Sequence, residues 1–317
     1  MGHKVARKSG KRFLSAIGYK RLSLEDLFVD IFIYAALLLL CVVTLYPFIN
    51  TVAYSLNNAI DSINGGIYLW PREFTLRNYE KIFVGNNAII RALFISVSRT
   101  VLGSVLSVFA TLCTAYVLSR RDFVFRKALT PFLVFTMYFS GGLIPTFILI
   151  RNLGLMNNFL VYIFPPLVGA YNIMIMRTYI QGIPDSLIEA AKMDGASEYR
   201  ILFTLIFPLS LPVVATVTLF VAVNQWNAWF DTMLYCGSNP NLTTLQYELQ
   251  KLLTSALSYA STDSDAAMNS GEAYKASVTP MSIRTAMTVI SVAPILFVYP
   301  FLQKYFIRGL TLGGVKG

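Results

Sequence analysis

The chain has 317 residues, 56% of them hydrophobic and 13% charged, and its 26 Lys and Arg against 16 Asp and Glu give a formal charge of +10. That apolar content exceeds the roughly 45–50% of soluble domains, so a water-soluble globular protein is excluded and an all-α, polytopic membrane protein is expected. The basic excess then becomes a question of which membrane face holds it.

Residues 1–27 form a basic tail carrying Lys4, Arg7, Lys8, Lys11, Arg12, Lys20 and Arg21, the kind of segment that stays cytoplasmic beside anionic lipid. The tail and the apolar run behind it are both too long for a cleaved signal peptide. No interleaved aromatics follow it, so lipid rather than nucleic acid is the expected partner.

A helix needs about 20 mostly apolar residues to cross a bilayer. Six stretches satisfy this, at 28–55, 88–119, 128–150, 158–179, 205–230 and 282–306, which together make a transmembrane domain over 28–306. With the N-terminus inside, 17 of the Lys and Arg side chains in the tails and connections fall on the inner side and 6 on the outer. Both termini and the loop 184–208 are therefore expected to be cytoplasmic.

Two outer loops follow from that orientation. The first, 56–87, holds Asn57, Asn58, a Gly65-Gly66 turn and the run Tyr68-Leu69-Trp70-Pro71; the second, 231–281, holds a short helical pattern at Tyr247–Leu253 and a polar stretch from Ser261 to Asp265. Such loops either receive an extracytoplasmic protein or simply close the outer face. Helix breakers interrupt several spans: Ser140-Gly141-Gly142 with Pro145, Pro165-Pro166, Pro212, and Pro294 with Pro300. Breaks of this kind fit a moving, cavity-lining bundle, and also ordinary kinks in a static one.

Polar residues inside the spans mark a candidate substrate path. Arg99 lies about a third of the way along the second span, where a lone cation must face a cavity or a partner. Asn224, Gln225, Trp226, Asn227, Trp229 and Asp231 crowd the outer end of the fifth, joining amides to flat rings as sugar binding requires. An interfacial aromatic belt would use the same tryptophans, and an intersubunit ion pair the same arginine.

The segment 184–208 is the polar, well-punctuated stretch among these apolar runs. Ser186 and Glu189 have capping-box spacing, which predicts a helix beginning near Leu187, and Gly195 stands where a left-handed residue would end it. Ser197 then caps a second helix over 198–207, stopped or kinked by Pro208. Small Ala190 and Ala191 beside Glu189 make a shallow knob suited to a groove on another protein. A surface-lying amphipathic connector would have the same composition.

These residues resemble the EAA loop of ABC-importer permeases. Glu189-Ala190-Ala191, three residues, Gly195, nine residues and then Leu205-Ile206-Phe207-Pro208 keep that family's spacing, with Leu205 and Phe207 in place of its usual Ile and Leu. Ala115-Tyr116-Val117-Leu118-Ser119-Arg120 resembles the inner end of the family's second span. The ending Gly309 to Gly317, part of a glycine-rich cytoplasmic tail at 307–317, resembles that of the maltose-type second permease subunit. The longer stretch 253–280 departs from the shortest members.

The resemblance implies a type I ABC-importer permease fold in a bacterial cytoplasmic membrane, working by alternating access. It also implies a second homologous permease, a dimer of cytoplasmic ATPases and an extracytoplasmic solute-binding protein as partners, with an oligosaccharide, sometimes acidic, as substrate. Coupling to the ATPases would fall to Ser186, Glu189, Ala190, Ala191, Asp194 and Gly195, assisted by Gly313, Gly314 and Lys316; the substrate path would involve Arg99, Asn224, Trp226, Trp229 and Asp231. No phosphate-binding loop is present, so ATP and Mg would be bound by the partner ATPases, with no cofactor on this chain. His3 is the single histidine, and Cys41, Cys113 and Cys236 lack metal-ligand spacing, so neither a metal site nor a catalytic residue is expected. An ion- or proton-coupled secondary transporter would also have broken spans, but the spans lack a clear Asp or Glu relay, and it would leave the docking segment without a purpose.

Overall fold

The computed structural model describes residues 24–83, 87–261 and 279–314. Among them helices joined by turns and loops make up the chain, with one isolated bridge, between Asn57 and Phe74, as the only extended pairing. The basic tail before residue 24, the polar stretch 262–278 and Lys316 lie outside the described residues.

Twelve helices organise the described chain. α1 is Leu24–Ser55; α2 (Ala59–Ile63) and α3 (Arg77–Phe83) lie in the first connection; α4 is Asn87–Ser119. A pair, α5 (Arg126–Tyr138) and α6 (Leu143–Asn152), is bent by 115° between its members. α7 is Ala170–Ile180 and α8 is Asp185–Met193. α9 (Glu198–Leu209) and α10 (Leu211–Asn227) meet at 82°. α11 (Leu245–Ser261) and α12 (Pro280–Gly314) complete the chain.

Three stretches are long and apolar enough to cross a membrane: Phe28–Ser55, Asn87–Ser119 and Met281–Pro300; each bent pair adds one more if it crosses as a unit. The expected span at 128–150 is thus broken, with Gly142 at φ 88° where the chain turns. The expected span at 158–179 is not one helix. It consists of a 3-10 turn at Phe159–Tyr162, the Pro165-Pro166 pair, and then α7. Eleven residues rise only about 16 Å, half a bilayer core. Two prolines in succession supply no N–H to a helix ladder, so the helix starts after them.

The fifth span also differs from its prediction. Pro208 cannot donate to the carbonyl of Thr204, and the preceding turn, Ile201–Ile206, is wound as a π-helix. Pro212 likewise leaves the carbonyl of Pro208 without its helical donor, and the chain changes direction at Ser210. The membrane helix proper is α10, starting six residues later than expected. The last helix runs on to Gly314, so Gly313 and Gly314 continue α12 as its final residues.

α4 is the central column and packs against α10 and α7. Its buried face carries Ser96, Gly103, Ser107, Thr111 and Ala115 at helical spacing, the small-residue stripe that lets two helices approach closely in lipid. At Gly103 the approach is limiting: a Cβ there would stand 2.6 Å from Nε2 of Gln225 on α10. Towards the C-terminal end of α4, Leu112, Tyr116 and Leu118 join Ile173 and Met176 of α7, Ile188 of α8, Ile201 and Ile206 of α9 and Val213 and Val217 of α10 in one core. α1 is different in kind, since Ala53 and Ser55, the buried ones among its described side chains, sit at its C-terminal end and its length from Phe28 to Ile49 is exposed.

The first connection is held by a polar network. Asn57 donates to Asp61 Oδ2 at 2.8 Å and accepts from the backbone N–H of Glu73 at 2.8 Å, while Arg72 pairs with Asp61 at 3.0 Å. The hydrogen bond from Asn57, reinforced by Arg72, holds the Asp61 carboxyl below its usual range. Gly65 and Gly66 turn the chain at φ 69° and 72°.

Candidate functional site

Two places on the α4 column are candidate sites. The first is a cavity of about 980 Å³ lined by α7, α10 and the segments flanking them, including Pro165, Pro166, Tyr171, Asn172, Asn224, Asn227, Trp229 and Asp231. Its wall combines amides with aromatic rings. Trp229 meets Phe230 edge-on at 5.7 Å.

Arg99 lies at the base of this wall, 1% exposed. Five donor contacts hold its guanidinium: Nε and Nη2 to Gln225 Oε1 (3.1 and 2.9 Å), Nη2 to Asp231 Oδ2 (2.6 Å), Nη1 to Asp231 Oδ1 (3.2 Å), and Nη1 to the Ala228 carbonyl (3.4 Å). The ring of Tyr162 lies 4.3 Å below the guanidinium carbon. Tyr162 is fixed in turn, its hydroxyl donating to the Leu242 carbonyl at 2.7 Å and its carbonyl accepting from Gln225 Nε2 at 3.1 Å. A forked pair of this kind satisfies a cation that would otherwise be very costly to bury. Arg99 therefore lines the cavity as a committed partner of Asp231 within the same chain, not as a free cation.

The remaining predicted path residues separate. Asn224 and Trp229 face the cavity. Trp226 does not line it: its indole N–H donates to the Ser291 carbonyl at 2.8 Å and its ring packs with Ile89, Leu245 and Met287. One helical position is enough to turn neighbouring side chains through about 100°, which sends Gln225 to Arg99 and Trp226 to α12. Tyr162, Tyr171 and Asn172 were not singled out from the sequence; they arrive from segments whose pattern gave no sign of proximity to α10.

The second place is α8 and α9 at the other end of α4. The helix begins at Asp185, with Pro184 as N-cap and no side-chain capping bond, so Ser186 falls in the first turn and the expected capping box is not made. Gly195 turns the chain at φ 77°, and Ser197 Oγ accepts from the N–H of Arg200 at 3.4 Å. Ile188 is the buried anchor of α8, worth about 2–3 kcal/mol by its removal from water. Ala191 packs partly on the same core.

The opposite face is bare. Glu189, Ala190 and Asp194 are exposed, and beside them Met193 is 89% and Tyr199 78% exposed. Large side chains so fully uncovered, next to small ones, make this face a candidate surface for another protein. Beneath it, Lys192 Nζ lies 2.7 Å from Glu198 Oε1 and 3.8 Å from Asp122 Oδ2, and Arg121 lies 3.6 Å from Asp185. The Lys192 contact, with a hydrogen bond from Tyr116, holds the Glu198 carboxyl below its usual range. Gly313 and Gly314 close α12. Among the described residues no cluster of His, Cys, Asp and Glu is arranged to hold a metal.

Comparison with known proteins gives a consistent picture. Residues 90–312 match the family model described as binding-protein-dependent transport system inner membrane component. The polygalacturonan/rhamnogalacturonan transport system permease protein YtcP of Bacillus subtilis is 37% identical, the match covering 91% of this chain and 98% of that protein. Protein LplC of the same organism is 34% identical over 87% of this chain and 90% of its own length. In three dimensions the chain is similar to one from a bacterial ABC transporter involved in the import of the acidic polysaccharide alginate, with a TM-score of 0.80 and 29% identity, covering 90% of this chain and 98% of that one.

Proposed function

This chain belongs to the family of binding-protein-dependent transport system inner membrane components, and from that premise we propose that it is one permease subunit of an ATP-driven oligosaccharide importer. It pairs with a second, homologous permease; two cytoplasmic ATPases bind ATP and Mg and dock on α8; an extracytoplasmic solute-binding protein delivers the sugar. On this reading the chain crosses a bacterial cytoplasmic membrane six times with both ends inside, in the type I arrangement, the fourth crossing being made by the broken segment 159–180 rather than by one helix, and it works by alternating access. It is not itself an enzyme.

The observation that carries this reading is the uncovered face of α8 and α9, where Met193 and Tyr199 stand exposed beside Glu189 and Ala190 behind a left-handed glycine bend. The cavity supports the substrate class. Amides at 172, 224 and 227 with the ring of Trp229 suit sugar hydroxyls and the apolar sugar face. Arg99 is already neutralised by Asp231, so this wall recognises the neutral part of an oligosaccharide; YtcP and the alginate importer make an acidic one the first to test.

The test is ATP-dependent uptake into proteoliposomes containing the complete complex, with oligogalacturonate and a neutral oligosaccharide compared, for the wild type and Gly195→Asp. A side chain with a Cβ at φ 77° is strained by about 1–2 kcal/mol, and the carboxylate adds a charge to the bare face. The variant is expected to lose uptake and ATPase association while remaining folded in the membrane. Undiminished uptake by Gly195→Asp would reduce α8 to a surface connector.

A further inference from the structure

One stretch singled out in the sequence, Ala115 to Arg120 at the C-terminal end of α4, has no part in the cavity or in the bare docking face. Its structure gives it a role. Tyr116 is 4% exposed, its ring in the core, yet its hydroxyl donates to Glu198 Oε2, 82 positions further along the chain, in the first turn of α9. The other oxygen of Glu198 accepts from Lys192 on α8. One carboxylate thus joins three helices: α4 through a buried hydroxyl, α9 through its own backbone, and α8 through an ammonium group.

The other contacts between α4 and the docking element are apolar: Phe109 of α4 stacks on Phe203 of α9 at 6.2 Å, and Ala115, Tyr116 and Leu118 share one core with Ile188, Ile201 and Leu202. Such contact has no preferred direction, and packed helices slide along it. A hydrogen bond from a hydroxyl to a carboxylate is directional and charge-assisted. It therefore fixes where the docking element sits along α4. The same helix carries Arg99, 17 positions earlier or about 25 Å along the axis, locked to Asp231 at the cavity.

We propose that the Tyr116–Glu198 bond is the strut through which movement of the docking element reaches α4, so that α4 and α10 shift together, and that Tyr116 and Glu198 are positioning residues for ATPase coupling. Without the strut, force on α8 would enter the membrane domain through non-directional apolar contacts, back along the chain into α7, and forward from α9 into α10, where the path is interrupted by the π-turn and the 82° break at Ser210. The strut bypasses that weak joint. This proposal rests on the importer reading above.

The experiment uses the complete complex in liposomes. ATP hydrolysis with and without loaded solute-binding protein, and sugar taken up per ATP, are measured for the wild type, Tyr116→Phe, Glu198→Ala, the double variant and Glu198→Gln. Tyr116→Phe keeps the ring in the core and removes only the hydroxyl. The expected result is normal assembly and basal hydrolysis, with stimulation by the loaded binding protein and uptake per ATP reduced about 2- to 30-fold. Glu198→Ala should match it, the double variant should be no worse than either single change, and Glu198→Gln, which still accepts from the hydroxyl, should recover part of the loss. Wild-type stimulation in Tyr116→Phe, or additive losses in the double variant, overturns the strut while leaving the importer reading standing. Failure of both single variants to assemble also overturns it, in favour of a bond that only holds the fold. A wild-type complex without ATP-dependent uptake takes down both readings.

Discussion

The chain from Glu198 to Asp231 is fastened to α4 twice, and the two fastenings are built differently. At the cavity, Arg99 is buried and forked onto Asp231 and Gln225, with Tyr162 beneath it. At the docking end, Glu198 has one oxygen on a buried tyrosine and the other on Lys192 in solvent, with its neighbours Asp122 and Arg121 more exposed still. The first is buried on its arginine side, neutral as a pair and intolerant of loss. The second is wet, made of weak exposed pairs around one protected bond. The physical difference is desolvation: removing one partner from a buried pair strands a charge, whereas water replaces the lost partner at the surface.

That contrast is open to direct attack. Arg99→Ala leaves Asp231 and Gln225 without their partner in a half-buried wall and is expected to destabilise the solubilised protein by about 3–5 kcal/mol, read as a large fall in melting temperature or in folded yield; a shift as small as that of a surface variant would show that the pair is not a clamp. Gly103→Ala sets a methyl 2.6 Å from Gln225 Nε2 and pushes that amide off Arg99. Overpacking of this kind costs about 1–3 kcal/mol, so its melting shift should fall between the wild type and Arg99→Ala. Combining the two substitutions should give less than the sum, since both act on one network.

At the docking end, Lys192→Ala removes pairs whose members are more than a third exposed on the lysine side, and its effect on melting should stay below about 1 kcal/mol. A larger shift would place the docking network in the same class as the cavity clamp. The pH response is the finest distinction. Because the Lys192 and Tyr116 contacts lower the folded Glu198 pKa, the stabilisation is fully present above the unfolded value near 4.3 and is lost as pH falls through the lower folded value. The melting difference between wild type and Glu198→Gln should therefore be flat from about pH 6 to 8, and a slope in that window would mean that another group carries the contact.

How far the sequence could be read depended on the range of the interaction. The docking bend was legible because Gly195 and Ser197 act on their own backbone, at φ 77° and across three residues. The capping box was over-read at Ser186, because Pro184 is the N-cap and the helix starts two residues too early for that side chain to cap it. Breakers at 141–142 and 165–166 were visible, but the 115° turn after α5 and the shortening of the fourth span to α7 follow from how the pieces pack. The polar cluster after residue 223 was visible as composition, while the split between Gln225, facing Arg99, and Trp226, facing Ser291, was not.

By itself, then, the sequence determined that the protein is a helical membrane protein with a polar, glycine-hinged segment at 184–208, since composition, breakers and caps are local properties that water and lipid sort without reference to distant residues. Tertiary structure alone decided the pairings that organise function: Arg99 with residues 126 and 132 positions away, and Tyr116 with one 82 positions away. No periodicity encodes such pairs, because they are chosen by which helix faces meet, and the small-residue stripe of α4 sets that meeting by letting α10 come close at Gly103.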